Sequence, residues 1–239
     1  MSENFSGGSL VDWRIELQKK NILLADQLHE EADPYQTLIE LGLPVPPYLA
    51  IESIVTFLED PEQKLKVLKN QGIDQFYVGL RPISPDLPKY RELELEADQV
   101  APYIQSVIPV EDYNNYHLRV AEYAPAEYGA VAIVNPSGAL RVELARGEMS
   151  NLATGTKTPE FTVEANQFTG VLNHSFDDLE LRKAIVAAIN AMPSLEVQEA
   201  SIRQNRKPGY YEFVLVRRGG KLRPTYFDYK SSPLFSLPE

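Results

Sequence analysis

At residue 74 the hydrophobic period of the chain changes from helical spacing to the alternation of strands. The earlier part reads as helices punctuated by prolines. Trp13, Leu17, Leu24 and Leu28 fall near one face of a helix over 11–31, which Asp33-Pro34 ends. A second, short helix is predicted over 34–41, with Pro34 at its first position and Gly42 just past its end. Leu43-Pro44-Val45-Pro46-Pro47 must be extended, because proline fixes φ and disfavours helix in the residue before it. Asp60-Pro61-Glu62-Gln63 starts a third helix, with a capping carboxylate, a first-turn proline and an amide side chain at the third position. That helix carries Leu65 and Leu68 and should stop at Gly72.

Past residue 74, Gln75–Leu80 is a short β-rich run that ends in a proline-stiffened loop, Arg81–Pro88. Residues 89–96 alternate as a half-buried strand does. A helix is predicted over 98–106. Strands follow at 116–123, 129–135 and 139–146, the last two joined by a turn at Asn135-Pro136-Ser137-Gly138. Residues 160–172 read as strand and loop. A helix over 177–192 has Leu181, Ile185, Ala188, Ile189 and Met192 as its apolar stripe, with Ser175 or Asp177 as cap. Strands at 195–202, 210–217 and 221–228 complete the chain. Helices first, then a mostly antiparallel sheet with a packed helix, is the α+β class.

Composition narrows the function classes. The 239 residues are 44% hydrophobic and 24% charged, the balance of a folded domain rather than a disordered chain. The absence of cysteine excludes a disulfide framework, zinc–thiolate sites and thiol catalysis. Three scattered histidines argue against a histidine-rich metal site. No apolar run reaches the ~18–20 residues that span a bilayer, and MSENFSGGSL lacks the charged and apolar regions of a signal peptide. The expectation is a cytoplasmic protein. A net charge of −11 repels nucleic acid and anionic lipid, so neither is an expected partner. The charge is uneven: residues 201–230 carry eight basic residues against Glu212 and Asp228. That region reads either as a basic hairpin on an acidic body or as a phosphate-facing surface.

Five stretches, in order, resemble the nucleotide-binding domain of phosphoenolpyruvate synthases and pyruvate, phosphate dikinases. GLPVPP at 42–47 is similar to the family's GLPVPPGF. Tyr77-Val78-Gly79-Leu80-Arg81 followed by Ser84-Pro85-Asp86-Leu87-Pro88 resembles VAVRSSATAEDLP, two residues shorter. Ala124-Pro125-Ala126-Glu127 and then Gly129 through Asn135-Pro136 resembles VPAEVSGVLFTVNP. Val142-Glu143 through Thr158-Pro159 resembles VEASWGLGEAVVSGRVTP without a gap. Tyr211-Glu212-Phe213 with Gly220-Lys221-Leu222 resembles the closing DIEFAI…GKLYLLQSRP.

The resemblance implies an ATP-grasp-like α+β fold, two lobes with antiparallel sheets and packed helices. It divides the chain into an N-terminal helical extension at 1–33, a first lobe at 34–110, a second at 111–230 and a tail at 231–239. It also implies ATP and Mg2+ as ligands. Arg81 falls where the family binds phosphate; Glu143 and Glu212 fall where it has acidic residues near metal and nucleotide. Those types suit the chemistry: phosphoryl transfer needs cations on phosphate and carboxylates on Mg2+, and arginine fits phosphate with a planar fork. The three are expected to converge from neighbouring strands. Equally, the two glutamates read as paired surface carboxylates at strand positions.

The departures weigh against turnover. The family's glycine-rich GGKGANL corresponds to His29–Tyr35, with Glu31 near the lysine's place. Its second GLGE glutamate becomes Ser150, and the glutamine and arginine of LLQSRP become about Tyr226 and Asp228. At a few kcal/mol per lost contact to a transferring phosphoryl group, these losses lower the rate by many orders of magnitude. Three functions remain. One is a diverged nucleotide-binding domain with lost or weak phosphoryl transfer. Another is a non-catalytic protein-interaction or regulatory scaffold with an unidentified protein partner. The third is a working small ATP-dependent ligase or kinase with a rearranged site.

Overall fold

The computed structural model describes residues 10–19, 34–49, 51, 53–84, 86–135, 139–147, 150–166, 171–194 and 206–231. The fold is α+β, with two antiparallel sheets and packed helices. The chain forms two compact units, 1–45 with 125–239 and 46–124.

The smaller unit holds β1 (Tyr48–Leu49), α3 (Ile54–Glu59), α4 (Pro61–Lys69), β2 (Phe76–Pro82), β3 (Tyr90–Leu95), α5 (Ala97–Val107), a 3-10 helix (Val110–Asn115) and β4 (Tyr116–Glu122). Its sheet order is β1-β4-β2-β3. The start of α4 follows the predicted chemistry: the Gln63 amide donates to Asp60 Oδ1 at 3.0 Å, with Pro61 in the first turn. The helix α5 has Glu96 and Gln99 as a reciprocal capping box and buries Val100 and Ile104. With Phe57, Leu65, Leu68, Phe76, Val78 and Val120 they make one apolar core. The helix α3, capped by Ser53, is absent from the sequence expectations.

The larger unit begins with α1 (Leu10–Lys19) and α2 (Pro34–Glu40). The start of α2 at Pro34 and the left-handed Gly42 at φ 69° match expectation. Its sheet comprises β5 (Ala126–Val134), β6 (Ala139–Arg146), β7 (Phe161–Asn166), β8 (Val171–His174), β9 (Gly209–Arg218) and β10 (Lys221–Lys230). The order is β10-β9-β5-β6-β7-β8, antiparallel throughout. A short α6 (Ser150–Ala153) follows β6, and α7 (Leu179–Ala191) precedes β9. Asp178, rather than Ser175 or Asp177, caps α7 by accepting the Leu181 amide at 2.9 Å.

One face of this sheet is apolar. Leu181, Ala184, Ile185 and Ala188 of α7 pack there on Ala130, Ala132, Val142, Leu144, Tyr211, Phe213 and Tyr226. A register shift between Tyr226 and Asp228 lets both Tyr226 and Tyr229 join this core. Aromatic rings of β9 and β10 pack within this core: Tyr211 and Tyr229 lie 4.9 Å apart between ring centroids, Phe213 and Tyr226 5.1 Å.

Several boundaries move. The division falls at residues 45/46 and 124/125 rather than at 33/34 and 110/111. Strand β4 pairs with β2 over seven residues, which ties 116–122 to the smaller unit. Likewise α1 is no separate extension, because Leu10 and Leu17 are buried in the larger unit's second core. Arg81 and Pro82 lie in strand β2 rather than in a loop, opposite His117 and Tyr116. The predicted helix over 11–31 is seen as Leu10–Lys19; its remainder, Glu31, the strand at 195–202 and all but the start of the 231–239 tail lie outside the described residues.

Candidate functional site

Residues directly opposite one another across antiparallel strands share a face of the sheet. In the larger unit Glu143 of β6 lies opposite Val131 of β5, Val131 opposite Glu212 of β9, and Glu212 opposite Asp228 of β10. Two residues along, Glu164, Arg141, Ile133, Tyr210 and Lys230 form a second row on that face. These two rows put six charged side chains on the face opposite the apolar core. With strands about 4.8 Å apart, Glu143 and Glu212 are roughly 10 Å apart along the row.

The charges are paired inside the chain. Arg141 Nε donates to Glu143 Oε1 at 2.8 Å, and Arg141 Nη1 donates to Glu164 Oε1 at 2.6 Å. Lys230 Nζ lies 3.1 Å from Glu212 Oε1 and 3.2 Å from Asp228 Oδ2. It also sits 5.6 Å from the centre of the Tyr210 ring, a cation–π contact.

Glu143 has 0% exposure, and α1 is what covers it. The Leu10 amide donates to Glu143 Oε1 at 3.1 Å and Oε2 at 3.3 Å. Leu10 and Leu17 pack on Val131, Ile133, Ala145, Leu152 and Tyr210. Arg14 Nε donates to the Gly155 carbonyl at 2.9 Å, and the Tyr210 hydroxyl donates to the Ala153 carbonyl at 3.1 Å. Gly155 has φ 65°, and a Cβ there would meet the Leu10 carbonyl oxygen at 3.1 Å. The seat of α1 therefore needs glycine at this position for both conformation and room.

Burial pushes the Glu143 carboxyl above its ordinary range, against the hydrogen bond and charge of Arg141 and the Leu10 amide. For Lys230 burial acts to lower the value, but the carboxylates of Glu212 and Asp228 outweigh it and hold the ammonium charged. Burial raises the Tyr210 hydroxyl far above its ordinary value, with Glu212 and Asp228 adding to the effect.

The sequence candidates separate as follows. Glu143 and Glu212 share one face of one sheet, with β5 between their strands. Arg81, half-buried on β2, belongs to the other sheet, so the three do not come from neighbouring strands. Arg141, Asp228 and Lys230 were not among the expected site residues. Their signal was present: Arg141 and Glu143, like Asp228 and Lys230, are two apart on strands, the spacing that puts side chains on one face.

This geometry does not fit Mg2+. The ion takes oxygen ligands near octahedral positions, yet the Glu143 oxygens already receive two N–H donors and Glu212 Oε1 an ammonium. Among the described residues no group of three or more His, Asp or Glu is arranged to hold a metal. Within the smaller unit, an open groove carries Glu62, Asp74, Glu96, Asp98 and Glu122 around Lys69, and none of the candidates. The late basic stretch is also partly neutralised: Arg217 bridges Glu127 and Glu180, and Arg206 binds the Met192 carbonyl and Asn190. Among the described residues no helix is long and apolar enough to cross a membrane.

No family model and no curated protein sequence matches the chain. A solved structure, the macrocyclase MdnB from Microcystis aeruginosa MRC, matches at 12% identity with a TM-score of 0.33, covering 93% of this chain and 54% of that one. The chain thus spans about half the length of that protein. At that TM-score the likeness carries no argument for fold or function.

Proposed function

We propose that the chain is a non-catalytic α+β interaction domain, diverged from an ATP-grasp-like ancestor and without phosphoryl transfer. One observation carries this reading: both carboxylates that the family resemblance assigns to metal and nucleotide are engaged by the chain's own donors. Glu143 is sealed by Leu10 and Arg141, and Glu212 is paired with Lys230. The replaced glycine-rich lysine, at Glu31, points the same way.

A second reading, residual binding of ATP with Mg2+, draws support from Glu143 and Glu212 lying in one cross-strand row. It requires α1 and Lys230 to leave those carboxylates first. Phosphate release from ATP by the full chain, with Mg2+ present, tests the non-catalytic reading, and equilibrium binding of ATP separates it from the second. The expected result is no release above background. Turnover above about 1 per second, the low end of ordinary enzyme rates, would overturn the non-catalytic reading.

A further inference from the structure

The two faces of the larger unit's sheet differ in a way that packing alone does not require. The face under α7 is apolar across its middle, with Arg146 and Arg217 at its margin. The other carries Arg141, Glu143, Glu164, Glu212, Asp228 and Lys230, yet α1 covers Glu143 completely. Burying ion pairs is often no better for stability than burying apolar groups of the same size. A face closed permanently has no need of such charges; a face that opens to water or to a partner does.

The described part of the cover is slight. The helix α1 has ten residues, and isolated helices shorter than ~12–15 residues are marginal in water. Among its residues with described burial, Leu10 and Leu17 are the buried pair, seven apart and so on one side. Asp12, Ile15, Gln18 and Lys19 are exposed. Polar contacts hold the rest: the Leu10 amide on Glu143 and Arg14 on the Gly155 carbonyl.

We propose that α1 is a strap that seats reversibly on this charged face, with Glu143 as its catch. Lifting it uncovers Glu143, Val131 and Tyr210 while α7 and the apolar core stay in place. The strap thereby regulates access to the charged face, and in that respect the proposal rests on the reading of the chain as an interaction domain. The carboxylate gains water when α1 leaves, which relieves the burial that now disfavours its charge.

The cysteine-free chain allows a direct test. Val131→Cys places a thiol under α1, and Val142→Cys places one on the opposite face, both at positions with 0% exposure. Each full-length variant is treated with a dithiobis-nitrobenzoate reagent in native buffer and in low urea. Opening of a local unit is cheaper than global unfolding. The thiol of Val131→Cys is therefore expected to react at least about 100-fold faster than that of Val142→Cys, with little urea dependence. Adding Leu17→Ser should accelerate the Val131→Cys reaction further and leave the Val142→Cys reaction unchanged. Equal rates with equal urea dependence would overturn the strap. Amide exchange of the unmodified chain guards against a misfolded variant: α1 amides exchanging only with those of β9 would overturn it as well. These readouts follow the helix alone, so their failure leaves the expected absence of ATP turnover untouched.

Discussion

The amide of Leu10 is shared between the two carboxylate oxygens of Glu143, 3.1 and 3.3 Å away and 133 residues distant in sequence. Through that contact the first described helix closes over the middle of the six-stranded sheet. The same carboxylate takes Arg141 Nε at 2.8 Å. A residue that the family resemblance assigns to nucleotide chemistry serves here as an acceptor for two donors of its own chain.

Removing that acceptor should be costly. Glu143→Ala leaves the Leu10 amide and one arm of Arg141 without their partner, and breaking a buried ion pair costs about 3 kcal/mol. Glu143→Gln retains an oxygen for Leu10, and Arg141 keeps Glu164, so its cost is about 1 kcal/mol. Urea denaturation of the three proteins measures both differences.

The pH dependence has an unusual sign for a carboxylate. Burial raises the folded-state value of Glu143 above its ordinary 4.5, and Asp12 adds to the rise, so the folded state holds the proton more tightly than the unfolded one. The resulting stability is fully present below the unfolded value and is lost as pH rises through the folded one. Wild-type stability relative to Glu143→Gln should therefore fall as pH climbs through the mildly acidic range and then level off. A relative stability that rises over that window would contradict the assignment. The groups facing Glu143 that set the background are Arg141, Asp12 and, through Arg141, Glu164.

Lys230 keeps two carboxylates compatible. Lys230→Met removes the cation between Glu212 and Asp228 and leaves like charges side by side on a largely covered face. The expected loss is about 3 kcal/mol at neutral pH. It should shrink in acid, where protonation relieves the repulsion; chemical denaturation at two pH values checks both parts.

Two core truncations should differ in kind. Ile185→Ala empties space in the core under α7 and should cost about 2–5 kcal/mol of global stability. Leu17→Ala loosens α1, so its global cost is capped by the free energy that docks the helix. Native-state amide exchange should show faster opening confined to α1 in Leu17→Ala and spread across the sheet in Ile185→Ala.

Local chemistry made much of this fold legible. Asp60-Pro61 starts α4, Pro34 and Gly42 bracket α2, and alternation locates β3 and β6. The domain boundary was not legible, because pairing of β4 with β2 rather than with β5 is a long-range choice that strand periodicity does not encode. The ion pairs were partly legible: two-residue spacing on a strand places Arg141 beside Glu143 and Lys230 beside Asp228. The cover over Glu143 was not, since nothing within the helical pattern of α1 names its seat. The resemblance assigned types of residue to a ligand; only the three-dimensional pairing revealed the donors already on them.

The central claim, that the carboxylates are engaged internally and serve no nucleotide, is tested most directly by the melting temperature of the full chain with millimolar ATP and Mg2+. A ligand at ~100 times its dissociation constant adds ~2.7 kcal/mol to stability, and for a chain of this size each kcal/mol moves the midpoint by about 2–4 °C. The account predicts no shift, for wild type and for Arg81→Ala alike. A shift of several degrees that requires Mg2+ and is abolished by Glu143→Gln or Glu212→Gln would contradict it.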